Sequence, residues 1–287
     1  MGRPESIAGL LPWIARQTIA PSDVVFVVTG PEDLPDLSAL PDATVIYSKK
    51  GLPKQRNCGL DAVQDKSDAV FFIDDDYVPT RSAISGVINA LDTWPDAAGF
   101  TGKLLADGIR AGGLPIEQAS ELITQQEGTA GHDHPSRTAL AMERNLVGLY
   151  GCNMAYRSAA IGVTRFDERL PLYAWQEDVD FAARVPGEKL LTDAFTGVHC
   201  GTTRGRETSG QRLGYSQIAN AFYLMRKGSL PKRFALRLAV RNILSNHAKM
   251  LRPEPWIDRK GRARGNWIAM RDILTGRCAP ERILEMA

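Results

Sequence analysis

Apolar and polar positions follow two alternating periods along the first two-thirds of the chain. From Pro4 to Gln17, residues Ile7, Leu10, Leu11 and Ile14 fall on one side at helical spacing. Val24 to Val28 is a continuous apolar run of strand length, and Ala43 to Tyr47 a shorter one. Pro53 suits the first turn of a helix continuing to about Asp65. Ala69 to Ile73 predicts another buried strand, which runs directly into three aspartates. A helix is expected from Thr80 to Trp94-Pro95 and a strand from Ala98 to Leu104. Residues 105–145 lose this regularity, and Gly112-Gly113 and the stretch Gly128 to Pro135 mark loops. Beyond them, Gly151 to Tyr156 reads as extended and Asp178 to Val185 as helical, with Leu190 and Val198 in short strands. Gln211 to Arg226, Pro231 to Met250 and Asn266 to Leu274 read as helices. The order predicts an α/β fold on a sheet of mostly parallel strands with flanking helices. Unusually for such a sheet, a helix comes first.

Composition adds bounds. With 287 residues, 44% hydrophobic and 24% charged, the chain is ordinary globular material. It has no run of 18 uninterrupted apolar residues and no basic-then-apolar leader pattern. Cys58, Cys152, Cys200 and Cys278 are scattered, which predicts free thiols in a reducing cytoplasm. His132 and His134 sit in a Gly/Pro/Ser-rich stretch and read as loop residues rather than a metal pair. The net charge of +2 hides a polarity: residues 226–287 hold fifteen Lys/Arg against five Asp/Glu. They carry +10, leaving −8 for residues 1–225.

Asp74-Asp75-Asp76 is the sharpest local signal. Carboxylates at the C-terminal end of a strand stand where α/β folds present ligand groups. Their mutual repulsion is relieved by a divalent cation, which can also bridge diphosphate oxygens. An acidic turn before Pro79 is the bland reading. Glu177-Asp178 forms a second acidic pair at a helix start, explained equally by capping or by a base for an attacking hydroxyl. Lys54-Gln55-Arg56-Asn57 opens a helix, either as a diphosphate cradle or as a solvated helix start. His199 is a third metal ligand or a structural strand-end histidine, and the loop Gly201 to Arg206 is a basic lid.

Taken in order, these segments resemble the family 2 glycosyltransferases of GT-A fold over nearly all of residues 2–228. Gly2-Arg3-Pro4 with its helix is similar to the family's first helix. Gly51-Leu52-Pro53-Lys54-Gln55-Arg56-Asn57-Cys58-Gly59 resembles its Arg-Asn-x-Gly segment, and Phe72-Ile73-Asp74-Asp75-Asp76 its D-x-D segment. Gly151-Cys152-Asn153-Met154 and then Gln176-Glu177-Asp178-Val179-Asp180-Phe181 match its acceptor-side and E-D segments. The resemblance implies transfer of a sugar, with inversion, from a nucleotide-diphosphate sugar to an acceptor hydroxyl in polysaccharide or glycolipid assembly. It implies Mg²⁺ or Mn²⁺ held by the D-x-D acids Asp74 and Asp76, to which His199 is the candidate third ligand already noted. Lys54, Arg56, Asn57, Asp74, Asp75 and Arg206 fall on the nucleotide sugar, and Asn153 and Trp175 on the acceptor. Asp178 is the implied base, with Glu177 beside it.

The implied domains are a catalytic one over 1–228, with a nucleotide half of about 1–104 and an acceptor half of about 105–228, and a basic helical extension over 229–287. Two features depart from the family. Its first strand is absent, and Thr29-Gly30 stands where an acid often reads the base. The alternative is therefore a catalytically impaired nucleotide-sugar or glycan-binding protein. A nucleotidyltransferase reading lacks its Gly-rich phosphate loop.

In the basic segment, Phe234, Leu236, Leu238, Val240, Ile243 and Leu244 cover a broad arc among Lys232, Arg233, Arg237, Arg241 and Lys249. Burial of that arc against the catalytic domain is expected, with the cations facing an anionic membrane surface. Peripheral attachment to the inner face of the plasma membrane would put the enzyme near a lipid-linked glycan acceptor. Nucleic acid is not an expected partner, because aromatic interleaving is sparse and no reading motif is present.

Overall fold

The computed structural model describes residues 2–129, 140–201 and 209–286. His132, His134 and Arg206, with most of the expected lid, lie outside them. The chain divides into two compact units. One comprises Met1–Ser48, Asn57–Thr164 and Val185–Gly205, the other Lys49–Arg56, Arg165–Arg184 and Arg206–Ala287.

The first unit opens with α1 (Pro4–Ala15). Proline is tolerated in this first turn because its missing N–H has no helical partner there. The helix buries Ile7, Leu10, Leu11 and Ile14, as their spacing predicts, together with Trp13. Strands β1 (Val25–Val28) and β2 (Thr44–Tyr47) pair in parallel as a separate two-stranded sheet. After α2 (Leu52–Val63) comes β3 (Ala69–Ile73), then β4 (Tyr77–Pro79), α3 (Ala83–Thr93) and β5 (Ala97–Asp107). These are followed by α4 (Ile116–Thr129), β6 (Ala141–Glu143), β7 (Asn153–Arg157), α5 (Ser158–Ile161) and, after α6 (Glu177–Arg184) of the second unit, β8 (Glu188–His199).

The main sheet has six strands in the order β3-β7-β5-β8-β4, with β6 on β8. Only β5 and β8 run parallel in it; β7 is antiparallel to β3 and β5, and β4 and β6 are antiparallel to β8. The sheet is mixed, which corrects the expectation of mostly parallel strands. Apolar runs report that a strand is buried but carry no sign for its direction. Ala83, Val87 and Ala90 of α3 pack on Ala97, Phe100, Ala155, Leu190 and Phe195 of the sheet. Trp13 of α1 and Ala119 and Ile123 of α4 pack with Val78, Val198 and Cys200.

Where two short strands were expected around Leu190 and Val198, β8 is one strand of 12 residues. Its pairing with β5 jumps from Gly102↔Thr192 to Lys103↔Thr196, so a bulge interrupts the alternation that reveals a strand.

The second unit contains α6, α7 (Gly210–Lys227), α8 (Lys232–Ala248) and α9 (Arg259–Leu274). The Ser209 hydroxyl accepts from the Arg212 N–H at the start of α7, and Gly228, at φ 90°, takes the left-handed turn that ends it. Gly214 and Gly265 let α7 and α9 approach closely: a Cβ on either would lie 2.1 Å from a carbonyl oxygen of the other helix. Buried Asn246 of α8 donates to Gln217 Oε1 (2.8 Å) and Asn266 Oδ1 (3.0 Å), tying the three helices together. That polar inner face changes the expected packing of α8. Of the six apolar residues noted in the sequence, only Leu238 is buried, while Leu236, Val240 and Leu244 are exposed.

Among the described residues no helix is long and apolar enough to cross a membrane.

Candidate active site

The three aspartates occupy the tight turn between β3 and β4, closed by the Tyr77 N–H donating to Asp74 O (3.0 Å). The strands on either side pin it: Asp74 N–H donates to Cys152 O (3.2 Å), and Cys200 N–H donates to Asp76 O (2.8 Å). The second bond sets Asp76 beside the end of β8, where His199 Nε2 lies 3.5 Å from Asp76 Oδ1. Asp74, Asp76 and His199 each offer a donor atom, and the three atoms lie within 4.8 Å of one another. Two carboxylates and an imidazole in that compass fit a divalent cation.

The ring of His199 is oriented from behind. Asp107 ends β5 opposite His199 in the parallel ladder, and its Oδ1 lies 2.9 Å from Nδ1. The Tyr150 hydroxyl donates to Asp107 Oδ2 (3.0 Å), and its ring stands edge-on to the imidazole. With Nδ1 engaged by Asp107, Nε2 is left towards Asp76. The corner is tight. Gly201 follows at φ 63°, and a Cβ there would meet Ile109 N at 2.3 Å.

Burial opposes a charge on His199, but hydrogen bonds to Asp107 and Asp76 and the field of Asp76 and Asp74 outweigh it and push its pKa up to about 9. Burial likewise pushes Asp75 up to about 6, against the opposing charge of Arg3. Arg3, just before α1, pairs with Asp75 and reaches Asp76 Oδ2 at 3.4 Å. Asp33, which bonds to Thr29, is turned inward. Despite its burial, bonds from the Thr29 hydroxyl and the Gly2 and Thr29 amides hold it at about 2.

Asn153, expected on the acceptor, is fully buried. It donates to Gly102 O (2.9 Å) and accepts from the Thr101 hydroxyl (2.6 Å), so its amide is consumed inside the sheet. Asn57, on α2, is also buried.

In the second unit, Arg56 is only 8% exposed and pairs with buried Glu177. Its guanidinium lies 5.5 Å from the Phe166 ring, which stacks on Phe181 at 3.9 Å. Lys54 is half-buried on the same end of α2. Asp178 is half-buried in the first turn of α6, its Oδ1 accepting from the Val179 N–H (2.8 Å). Trp175 is half-buried and its carbonyl accepts from Asn220 (2.9 Å).

The residues leading into α6 are unusual: Leu172, Ala174 and Gln176 all have positive φ, at 59°, 52° and 73°. Non-glycine residues there cost on the order of 1 kcal/mol or more each, and such strain clusters at functional sites. The Leu172 carbonyl accepts from the Leu52 N–H (2.9 Å), so this loop also fixes the start of α2. Asp180 is tied inward to Lys227 (2.9 Å) and Ser229 (2.6 Å), a structural anchor for α6.

Sequence reasoning missed Arg3, Asp107 and Tyr150. Asp107 was hidden because β5 runs three residues past its expected end at Leu104. Arg3 was read only as part of a helix start, and nothing in the local pattern marks Tyr150.

No family model matches the sequence, and no curated protein matches it. Among solved structures, the fold is similar to that of the mannosyltransferase PcManGT from Pyrobaculum calidifontis in complex with GDP-Man and Mn²⁺. The likeness has a TM-score of 0.50 at 15% sequence identity and covers 98% of this chain and 75% of that one. At that identity it is a likeness of fold: a mixed sheet with flanking helices.

Proposed function

We propose that the chain transfers a sugar from a nucleoside-diphosphate sugar to an acceptor hydroxyl, with a divalent cation held by Asp74, Asp76 and His199. The observation that carries this reading is the convergence of those three side chains at the ends of β3 and β8. It is supported by the likeness of the fold to a mannosyltransferase in complex with GDP-Man and Mn²⁺. Membership of family 2 and inversion at the anomeric carbon are finer parts of the same reading, supported by the order of the three acidic and basic segments.

A bound cation would supply positive charge against the diphosphate oxygens and so ease departure of the nucleoside diphosphate. An imidazole among the donors favours Mn²⁺ over Mg²⁺, which prefers oxygen alone. The chain's own residues do the rest. Asp107 and Tyr150 hold His199 in the tautomer that turns Nε2 to the ion. Arg3 offsets the charge of Asp75 and also borders Asp76, lowering the repulsion among the clustered aspartates.

Asp178 takes the proton of the acceptor hydroxyl as its oxygen attacks in line with the departing group, which inverts the sugar carbon. Glu177 is a weaker choice for that role because Arg56 engages it. Lys54, Asn57 and Arg206 are assigned to the donor and Trp175 to a glycan or lipid-linked acceptor. Asn153 is reassigned to shaping the sheet.

Hydrolysis and transfer assays with Mn²⁺ test this, with GDP-mannose the first donor to try. Asp178→Asn should keep metal-dependent nucleotide binding and lose turnover by roughly 10²- to 10⁴-fold. Unchanged turnover removes Asp178 from the chemistry, and wild-type binding without turnover favours a binding protein.

A further inference from the structure

We propose that the outward face of α8 docks on an anionic lipid bilayer. This inference stands independently of sugar transfer.

Helix α8 has a clear inner side. Ala235, Leu238 and Asn246 are buried, and Ala239 and Ile243 pack partly on the core of the second unit. At about 100° per residue, the positions opposite are Leu236, Val240, Arg233, Leu244, Arg237 and Arg241, spread over roughly 140° of the circumference. All six are exposed, the aliphatic three at 62%, 44% and 63% for Leu236, Val240 and Leu244. Three large aliphatic side chains on one solvent-facing stripe need a cover. Their neighbours say which kind. No acid occurs between Lys227 and Pro253, and among the described residues Lys232, Arg233, Arg237 and Arg241 have no ion-pair partner.

Aliphatic and arginine positions interleaved along one helix face match the physics of the lipid interface. Leucines dip below the headgroups while arginines reach back to the phosphates. A second copy of the chain is a poor cover, because facing two such stripes would crowd six guanidinium groups. A nucleic acid would pair with the arginines and leave the leucines in water.

Flotation of the full chain with vesicles tests the proposal. Wild-type protein should float at low salt with phosphatidylcholine vesicles containing phosphatidylserine, and should stay behind with phosphatidylcholine alone. The triple change Arg233→Gln, Arg237→Gln and Arg241→Gln should weaken partitioning about 100-fold. Leu236→Gln with Leu244→Gln should weaken it at least about tenfold without moving the melting temperature, since both side chains are exposed. Failure of the wild type to float overturns the proposal. So does a leucine pair that leaves flotation unchanged, the mark of plain polyanion attraction. Conversion of a dimer to a monomer by that pair, with flotation intact, would give the face to a second copy instead.

Discussion

His199 has two ring nitrogens in unlike surroundings, and its chemistry follows from that difference. Nδ1 faces Asp107 and Nε2 faces Asp76. Without a cation, the flanking carboxylates keep the ring protonated up to about pH 9. The raised value means that this imidazolium stabilises the metal-free fold below about pH 6.5, and that the contribution fades as pH rises through 9. A metal ion needs the neutral ring, so binding must expel a proton. Mn²⁺ affinity is therefore expected to climb with pH, by at most about tenfold per unit, and to level near pH 9. In Asp107→Asn the plateau should arrive at lower pH and lie roughly 10- to 100-fold weaker, because the ring loses both a charge and its orienting partner. Calorimetric titration across buffers of different ionisation heat reads both effects; a pH-independent affinity would contradict them.

At the scale of elements, the ion pair of Arg56 on α2 with Glu177 on α6 is the clearest case of a buried pair of opposite charges. Arg56→Ala removes the cation that faces this buried carboxylate and should cost roughly 3–5 kcal/mol in urea unfolding. Replacing both residues by leucine should recover most of that loss, and equal effects of single and double variants would refute the coupling. Much of the element order was legible, because α1, β1, β3 and α7 carry strong periodicity or dense apolar runs. What escaped had physical causes. The first turns of α9 were hidden by Gly261 and Gly265, which read as breakers, although Gly265 is needed for close approach to α7. Helix α4 was hidden between Gly112-Gly113 and Gly128, with a narrow apolar stripe of Ile116, Ala119 and Ile123. The direction of β7 could not be read at all, since Asn153 to Arg157 is equally apolar in either sense.

At the scale of the whole molecule, residues 1–225 carry an acidic balance and residues 226–287 a basic one, in keeping with the two partners proposed above. The acidic side-chain cluster suits a cation, and the basic helices suit an anionic surface. Aspartates after a strand and a histidine ending a later one could be picked from the sequence, but their meeting depends on β8 running unbroken through its bulge to His199. The central claim is that meeting. Titration of Mn²⁺ into the wild-type chain and into Asp76→Asn and His199→Ala, with and without GDP or UDP, measures it directly. The account predicts one ion per chain in the wild type, tighter when a nucleoside diphosphate is present, and loss of that site in both variants while the fold remains intact. Equal Mn²⁺ binding by all three proteins, or none by the wild type, would contradict it.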